Sequence, residues 1–435
     1  MSVARLTLIF ALTLTLSLST LAAAADQRGA GVSASPAGES WAQLAKLMSS
    51  SASFGASVAI SGNSIVVGAA PYGQTASVFV EPTGGWANMS QTATLAPSDG
   101  TTCSRFGAAV SISGNTIAVG DPEDSCGIPQ PGAVYVFVEP PGGWSGRLTE
   151  TAKLTASDAV GGDAVGAAVS IDGNTVVAGA AGTYPFTTGG AAYVFVEPAS
   201  GWVNATQTAK LTEAGGQTGN ELGFSVSVSG NTVAAGAPGV PVGANQAQGA
   251  AYVYVEPAGG WTNETQTAKL TASDGQQNDD LGFSVSISGQ VVAAGAIGSN
   301  QIQGAAYVFA AAPGGWVSTT QVAKLTAAGG NAEDQLGTSV ATDGNVVVSG
   351  APWYSHSSND LTSPFFHEGA AYIFVKPTNG WTSETQAATL TGSDARFGAY
   401  LGTSAAISGK TVVSGALFNN RNFGAGYVFS TLSGQ

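Results

Sequence analysis

Short stretches of the chain alternate apolar and small polar residues with a period of two. In residues 224–228 (FSVSV) apolar side chains alternate with serines, and the turn sequence SGNT follows at 229–232. A period of two is typical of a β-strand with one buried face, and Gly-Asn between two apolar runs is typical of a two-residue hairpin turn. The next run, 233–236, is apolar on both faces, which indicates a strand between two packed layers.

Two further patterns follow each hairpin. The first, clearest as AAYVFV at 191–196, places aromatic residues on one face and Val on the other. The second, QTAKLT at 207–212, contains a lysine that recurs at Lys46, Lys153, Lys210, Lys269 and Lys324. Lysine on a strand suits an exposed outer edge that must not pair with other chains. Each unit therefore predicts four antiparallel strands with the fourth at the outside.

This four-strand unit recurs along the whole chain. The tryptophans at 41, 86, 144, 202, 261, 316 and 381 mark a period of 45 to 65 residues. Four-stranded sheets repeated around an axis form a β-propeller. Residues 41–47 match a fourth strand with no preceding three, and the last unit, 401–429, supplies only three strands. We therefore predict an all-β fold over 41–435, a closed seven-bladed β-propeller whose last blade is completed by the N-terminal strand.

Two short motifs in each unit resemble a known repeat. Phe54-Gly55 with GAAP at 68–71, and Leu222-Gly223 with GAP at 236–238, are similar to the FG-GAP repeats of the integrin α-chain propeller and of exported bacterial proteins. The resemblance implies a seven-bladed propeller and extracellular recognition or adhesion. Calcium-binding copies of that repeat carry Asp-x-Asp-x-Asp-Gly in the first turn, whereas the turns here hold at most one carboxylate, Asp172 or Asp343. We therefore expect no metal site and no cofactor.

The N-terminus has the pattern of a secretory signal. Arg5 precedes an apolar run at 6–21, and small residues at 23–25 suit a cleavage site before Asp26. The signal is thus predicted at 1–25, and the small, polar segment 26–40 is predicted to be a flexible lead-in. These features predict a protein that is secreted or held at the cell surface, with the periplasm as an alternative compartment.

Charge narrows the classes of partner. Charged residues make up 9% of the chain and the net charge is −14. A nucleic-acid-binding protein needs a basic face, and an anionic membrane repels an acidic surface. We therefore expect no nucleic acid, no membrane insertion, and a monomer that contacts an extracellular protein or carbohydrate.

The loops of a propeller fall on two faces, and one of them varies between units. We call the loops that lead into the first strand and leave the second strand the variable face, because their length and composition differ from unit to unit. These loops hold 16 of the 27 carboxylates. This acidity fits a surface for a cation or a basic partner, but it fits better a set of solvated turns copied with the repeat.

The longest insertion, 352–369, is the strongest candidate site. Exposed aromatic residues beside polar groups are typical of a binding hot spot, and the alternative is a compact loop that buries its own aromatics. The same loop holds both histidines, but without the ligand spacing of a metal site. The candidate ligand-binding residues are Trp353, Tyr354, His356, Asp360, Phe365, Phe366, His367 and Glu368.

Cysteine and asparagine residues suggest two modifications. Cys103 and Cys126 fall in one unit, and export predicts a disulfide between them. Asn88, Asn204 and Asn263 match the glycosylation sequon, although their common place in the unit explains them without glycans.

No catalytic arrangement is evident from the sequence. Neither histidine has the context of a catalytic triad, and no acid pair differs from its repeated copies. We expect a non-enzymatic binding or adhesion protein. The alternatives are a structural surface or matrix protein without a discrete ligand and, less favoured, an enzyme that degrades polysaccharide.

Overall fold

The computed structural model describes residues 33–34, 40–100, 104–122, 130–182, 189–355, 367–394, 398–418 and 423–432. The regular structure in these residues is β-strand, arranged in seven sheets that form the seven blades. Blades 1 to 7 are numbered in chain order, and the strands of each blade from the central axis outward. The fold class predicted from the sequence is confirmed.

The first strands lie side by side around the axis. In blades 1 to 7 they are Phe54–Ser61, Ala109–Ser113, Ala168–Asp172, Ser225–Ser229, Ser284–Ser288, Ser339–Thr342 and Leu401–Ser408. The second strands are almost wholly buried, as their apolar sequence predicts. They are Ser64–Ala69, Thr116–Asp121, Thr175–Ala180, Thr232–Ala237, Val291–Ala296, Val346–Ala351 and Thr411–Ala416.

The third strands carry the aromatic pattern. They are Thr75–Val80, Ala133–Val138, Ala191–Val196, Ala250–Val255, Ala305–Ala310, Ala370–Val375 and Ala425–Leu432. The fourth strands carry the recurrent lysine in five blades. In blades 1 to 6 they are Ala93–Leu95, Ala152–Thr155, Ala209–Thr212, Ala268–Thr271, Ala323–Thr326 and Ala388–Leu390.

The N-terminal strand closes the ring. Ser40–Met48 pairs antiparallel with Ala425–Leu432, with Lys46 opposite Tyr427, and supplies the fourth strand of blade 7. A bulge between Gln43 and Ala45 separates the two halves of this pairing. Within the segment predicted as a lead-in, Ser33–Ala34 forms a short strand that pairs with Ser40 and Trp41.

The fourth strand is not the outer edge in six of the blades, which corrects one expectation. A short fifth strand from the following unit pairs parallel with it. These strands are Gly146–Leu148, Ala205–Thr206, Glu264–Thr265, Thr319–Thr320, Glu384–Thr385 and, on blade 7, Met89–Ser90. The edge of the fourth strand is thus paired with a strand of the following unit, so the lysines do not lie on an unpaired edge.

The hydrophobic core is divided into seven clusters, one at each seam between adjacent blades. Each cluster contains one buried tryptophan, including Trp86 at the seam between blades 7 and 1 and Trp41 between blades 6 and 7. Trp41 comes from the N-terminal strand, so that strand also completes the core of the last seam. Every blade depends on both neighbours for its packing, as in other repeat proteins.

The two glycines of the repeat motif meet across each seam. A Cβ atom on the second-strand glycine would lie 1.9–2.1 Å from the carbonyl oxygen of a glycine in the next blade, as with Gly236 and Gly282. That partner glycine lies near the start of the first strand or just before it, and we call it the first-strand glycine. The last contact, from Gly415 to Gly55, closes the circle. Only glycine permits this backbone approach, and it explains why both motifs recur in every unit.

Serine hydroxyls also join the blades. Ser57, Ser225, Ser284, Ser339 and Ser404 each donate to the carbonyl of the first-strand glycine in the next blade, at 2.7–3.1 Å. Ser404 reaches Gly55 and so links the last blade to the first. These serines of the first strands thus satisfy backbone carbonyls of the neighbouring blade.

Candidate functional site

Most described acidic side chains of the variable face already have partners in the chain. Asp99, Asp158, Asp274 and Asp394 each accept a hydrogen bond from a fourth-strand lysine at 2.6 Å. The hydroxyl of the adjacent third-strand tyrosine donates to the same carboxylate in the pairs Tyr135–Asp99 and Tyr427–Asp394. The lysines are Lys153, Lys210, Lys324 and Lys46, in that order.

The electrostatics of these triads are those of an ion pair at a protein surface. The hydrogen bond from Lys210 lowers the pKa of Asp158 below its usual range, against the opposing effect of burial. Each lysine also lies over its tyrosine ring, with Nζ 5.0–5.6 Å from the centroid. In blade 4, Lys269 keeps this ring contact while the hydroxyl of Tyr252 donates to Glu213. The triads fix loops to strands and leave little free charge for a ligand.

Other carboxylates hold the backbone of their own loops. Asp163, Asp279 and Asp334 each accept the N–H of the residue three positions earlier, at 2.7–2.9 Å. Asp121 accepts from Ser104 and from the backbone of Arg105. These contacts support the interpretation of the acidic loops as turn-forming structure. Among the residues that the structure describes, no three His, Cys, Asp or Glu side chains are grouped to hold a metal ion.

Asp334 is the most buried of the described loop acids, 2% exposed against 4% for Asp279. Its carboxylate accepts one backbone N–H, from Asn331, at 2.7 Å. Burial raises the pKa of Asp334 to about 6. The same carboxylate raises the pKa of Tyr354, although the burial of that tyrosine is the larger cause. Asp334 therefore lies beside the start of the long insertion.

An aromatic cluster spans the seam between blades 6 and 7 on the variable face. The ring of Trp353 lies 4.9 Å from that of His367 and 5.6 Å from that of Tyr400. Tyr400 in turn contacts Phe418 at 5.7 Å, and Phe418 is 37% exposed. We call these four residues the seam cluster. No other seam shows such a row of part-exposed rings among the residues described.

The described ends of the insertion are anchored to the body of the propeller. The Gly369 N–H donates to the Tyr354 carbonyl, and the Leu401 N–H donates to the Glu368 carbonyl. The Tyr354 ring packs edge-on against Tyr372 at 6.1 Å. Of the candidate residues, Trp353, His367 and Glu368 are thus brought to the seam between blades 6 and 7, whereas Tyr354 packs against the core of the seam between blades 5 and 6. His356, Asp360, Phe365 and Phe366 lie outside the described residues.

The seam cluster is electrically neutral near pH 7. Burial lowers the pKa of His367 below its usual value, so the imidazole is uncharged at that pH. Its Nδ1 lies 3.1 Å from the Ser355 hydroxyl. Burial also raises the pKa of Tyr400, which stays a neutral phenol. The cluster presents aromatic surface with a hydrogen-bonding edge.

Two members of the cluster, Tyr400 and Phe418, were not predicted from the sequence. Tyr400 has a φ of 55°, and five other blades also place a non-glycine residue with positive φ directly before the Phe-Gly, Val-Gly or Leu-Gly dipeptide. The signal was available in the repeat, because position 400 carries an aromatic ring where the other copies do not. Those copies hold Ser53, Arg105, Ala164, Glu221, Asp280 and Gln335.

A second aromatic contact lies at the mouth of the axis on the variable face. The rings of Phe224 and Phe283, in blades 4 and 5, are 4.9 Å apart and half-buried. The matching position holds alanine in blades 1 to 3 and threonine in blades 6 and 7. The mouth of the axis is therefore asymmetric, and the sequence reasoning did not single it out.

The two predicted modifications have different outcomes. Cys103 and Cys126 lie outside the described residues, so their disulfide stays a prediction. The side-chain oxygens of Asn88, Asn204 and Asn263 accept the backbone N–H of Lys46, Lys153 and Lys210, at 2.7–2.8 Å. This inter-blade contact gives the sequon asparagines a structural role.

Comparison with known proteins agrees with the geometry of the blades. A family model described as FG-GAP repeat matches residues 89–137, 148–195, 205–254, 264–309, 319–374 and 384–429. No curated protein matches the chain. The described part of the chain contains no helix that is long and apolar enough to cross a membrane. The six matches cover more than half of the chain, and each begins in a fifth strand and ends in the next third strand along the chain, so the chain belongs to the FG-GAP repeat family.

Proposed function

We propose that this chain is an exported, non-enzymatic binding protein that contacts an extracellular protein or carbohydrate through its variable face. The observation that carries the proposal is the seam cluster. Trp353, His367, Tyr400 and Phe418 place part-exposed rings in a row at one seam, and the described residues of the other seams show no such row. Aromatic side chains in such positions supply large contact area at low cost in conformational entropy.

The acidic loops are a weaker candidate for the binding site than the seam cluster, because their carboxylates already have partners within the chain. Four aspartates of the variable face are neutralised by lysines, and others hold their own backbone. A partner that relied on these carboxylates would have to displace bonds that hold the blades. The neutral aromatic seam offers contact without that loss.

Export of the chain supports an extracellular partner. The signal pattern at 1–25 directs the chain out of the cytoplasm, and FG-GAP propellers are typical of extracellular or surface proteins. The final location is the extracellular medium, the cell surface or the periplasm.

The proposal is tested by binding of residues 26–435 to an array of glycans and extracellular proteins. Trp353→Ala and Tyr400→Ala should each weaken a hit at least tenfold, since hot-spot aromatics contribute about 2 kcal/mol or more. Tyr72→Ala is the matched control, because Tyr72 is 69% exposed in the corresponding loop of blade 1 and lies outside the cluster.

A third variant separates the insertion from the cluster. Replacing 353–368 by a short Gly-Ser turn should abolish the hit while cooperative melting is retained. Binding that persists in all the seam variants would show that other loops contact the ligand. If the well-folded chain bound nothing on the array, a structural surface or matrix protein would be favoured.

A further inference from the structure

The inner edge of each first strand points backbone groups at the central axis. In blade 1 a two-residue turn joins Ser61 to Ser64, so these two form a hydrogen-bonded pair and Ile60 takes a non-hydrogen-bonded position opposite Ile65. The N–H and C=O of Ile60 therefore face away from the second strand, toward the axis. The equivalent residues have the same register and are Ile112, Ile171, Val228, Ile287, Thr342 and Ile407.

Four of these seven N–H groups are held by a serine of the preceding blade. The donor-acceptor pairs are Ile171–Ser111, Val228–Ser170, Ile287–Ser227 and Thr342–Ser286, all at 3.0–3.1 Å. A side-chain hydroxyl is thus the acceptor that the repeat itself uses at this position.

Three consecutive blades lack that hydroxyl. Blades 6, 7 and 1 carry Ala341, Ala406 and Ala59 where blades 2 to 5 carry serine. A serine at position 341, 406 or 59 would accept the N–H of Ile407, Ile60 or Ile112, respectively. None of the three has a hydrogen-bond acceptor among the described residues.

A cavity that is open to solvent lies on the axis and includes the positions where the hydroxyls are missing. It has a volume of about 180 Å³ and is lined by first strands of blades 1, 2, 5, 6 and 7, including all three alanines and all three isoleucines. Its lining contains no charged side chain and consists of aliphatic groups, hydroxyls and backbone edges. The cavity lies near the turn between the first and second strands, at the end of the axis away from the variable face.

We propose that this axial cavity binds a small polyol whose hydroxyls take the places of the three missing serine hydroxyls. Each open backbone edge offers both an N–H and a C=O, and a hydroxyl can accept from one and donate to the other. An anion would face the carbonyls and a cation would face the N–H groups. The aliphatic walls match the C–H surface of a polyol, and the volume admits a molecule larger than one water. This site is separate from the seam cluster and does not depend on it.

The test is a glycerol titration of deuterated 26–435, followed by amide NMR. The N–H signals of Ile60, Ile112 and Ile407 should shift and saturate together. The signals of Ile171, Val228 and Ile287 should not, because serines already hold them. Glycerol also changes amide chemical shifts through its general effect on the solvent, and that change does not saturate. The shifts of Ile171, Val228 and Ile287 report this general effect and serve as the internal reference.

Single variants that restore the hydroxyl make the test specific. Ala59→Ser should remove the glycerol response at Ile112, Ala406→Ser at Ile60, and Ala341→Ser at Ile407. Each variant should unfold at a temperature equal to or higher than the wild type, because it completes an existing hydrogen-bond pattern. Non-saturating shifts, or responses unchanged in the serine variants, would overturn the proposal and leave a cavity filled by water only.

Discussion

At the scale of single residues, close backbone contacts decide which sequence the repeat tolerates. A Cβ atom added to Gly236 would lie 1.9 Å from the Gly282 carbonyl oxygen of the next blade. Gly230, in the hairpin turn of the same blade, has a φ of +56°, and a Cβ atom added to it would meet no other atom within 4 Å. The two glycines therefore recur for different physical reasons, close approach in one case and backbone conformation in the other.

Gly236→Ala should cost on the order of 3 kcal/mol of unfolding free energy, since backbone rather than a flexible side chain must move. Gly230→Ala is the matched control and should cost about 1 kcal/mol for its left-handed backbone alone. Urea denaturation of both variants measures the difference. Equal losses would show that the seam does not depend on the glycine contact.

Burial of Asp334 gives the protein a specific dependence on pH. The pKa of this carboxyl is about 6 in the folded chain, above its ordinary value of 3.8. Its contribution to stability is therefore fully present below about pH 4 and is lost as the pH rises through 6.

Asp334→Asn keeps the acceptor for the Asn331 N–H and removes the charge. It should stabilise the fold at pH 7 by about 2 kcal/mol and flatten the stability profile between pH 4 and 6. Asp163→Asn is the control, because Asp163 makes the same backbone bond in a half-buried setting. Denaturation midpoints at pH 4, 5, 6 and 7 decide the matter, and parallel profiles for wild type and Asp334→Asn would contradict this assignment.

At the scale of the strand, regular patterns were predictable and pairings across the repeat were not. Period-two alternation and Gly-Asn turns predicted the first two strands because side-chain direction follows from spacing alone. The fifth strands span two or three residues and pair with the preceding blade, so no local pattern marks them. The Lys210–Asp158 pair likewise joins residues 52 positions apart, so no local pattern predicts it.

The seam cluster, too, was only partly predictable from the sequence. The insertion and its ends, Trp353 and His367, stood out by composition. Tyr400 did not, because its importance depends on a turn at the start of blade 7 that aims its ring at the neighbouring blade. Contacts between units are thus the part of the site that sequence reasoning missed.

The N-terminal strand should contribute as much to its blade as an internal strand does. Leu47 in this strand and Leu211 in the fourth strand of blade 3 are equivalent in the repeat, and both are fully buried. Leu47→Ala and Leu211→Ala should each cost about 3 kcal/mol through the cavity left behind. Chemical denaturation compares them. A neutral Leu47→Ala beside a costly Leu211→Ala would mean that the N-terminal strand is not docked.

At the scale of the whole molecule, the repeats are stable because the ring is closed. Each seam has its own core, so an open array would leave apolar surfaces at both ends. Closure through Ser40–Met48 buries Trp41 between blades 6 and 7 and joins blade 7 to blade 1. The seam cluster lies on the same pair of blades, so the proposed binding surface rests on the closure.

Hydrogen exchange of residues 26–435 tests this closure most directly. In a closed ring, amides of 40–48 should exchange as slowly as those of 205–212, through global unfolding only, since both lie in the fourth-strand region. Exchange of 40–48 within seconds, while 205–212 stays protected, would contradict a ring closed by the N-terminal strand.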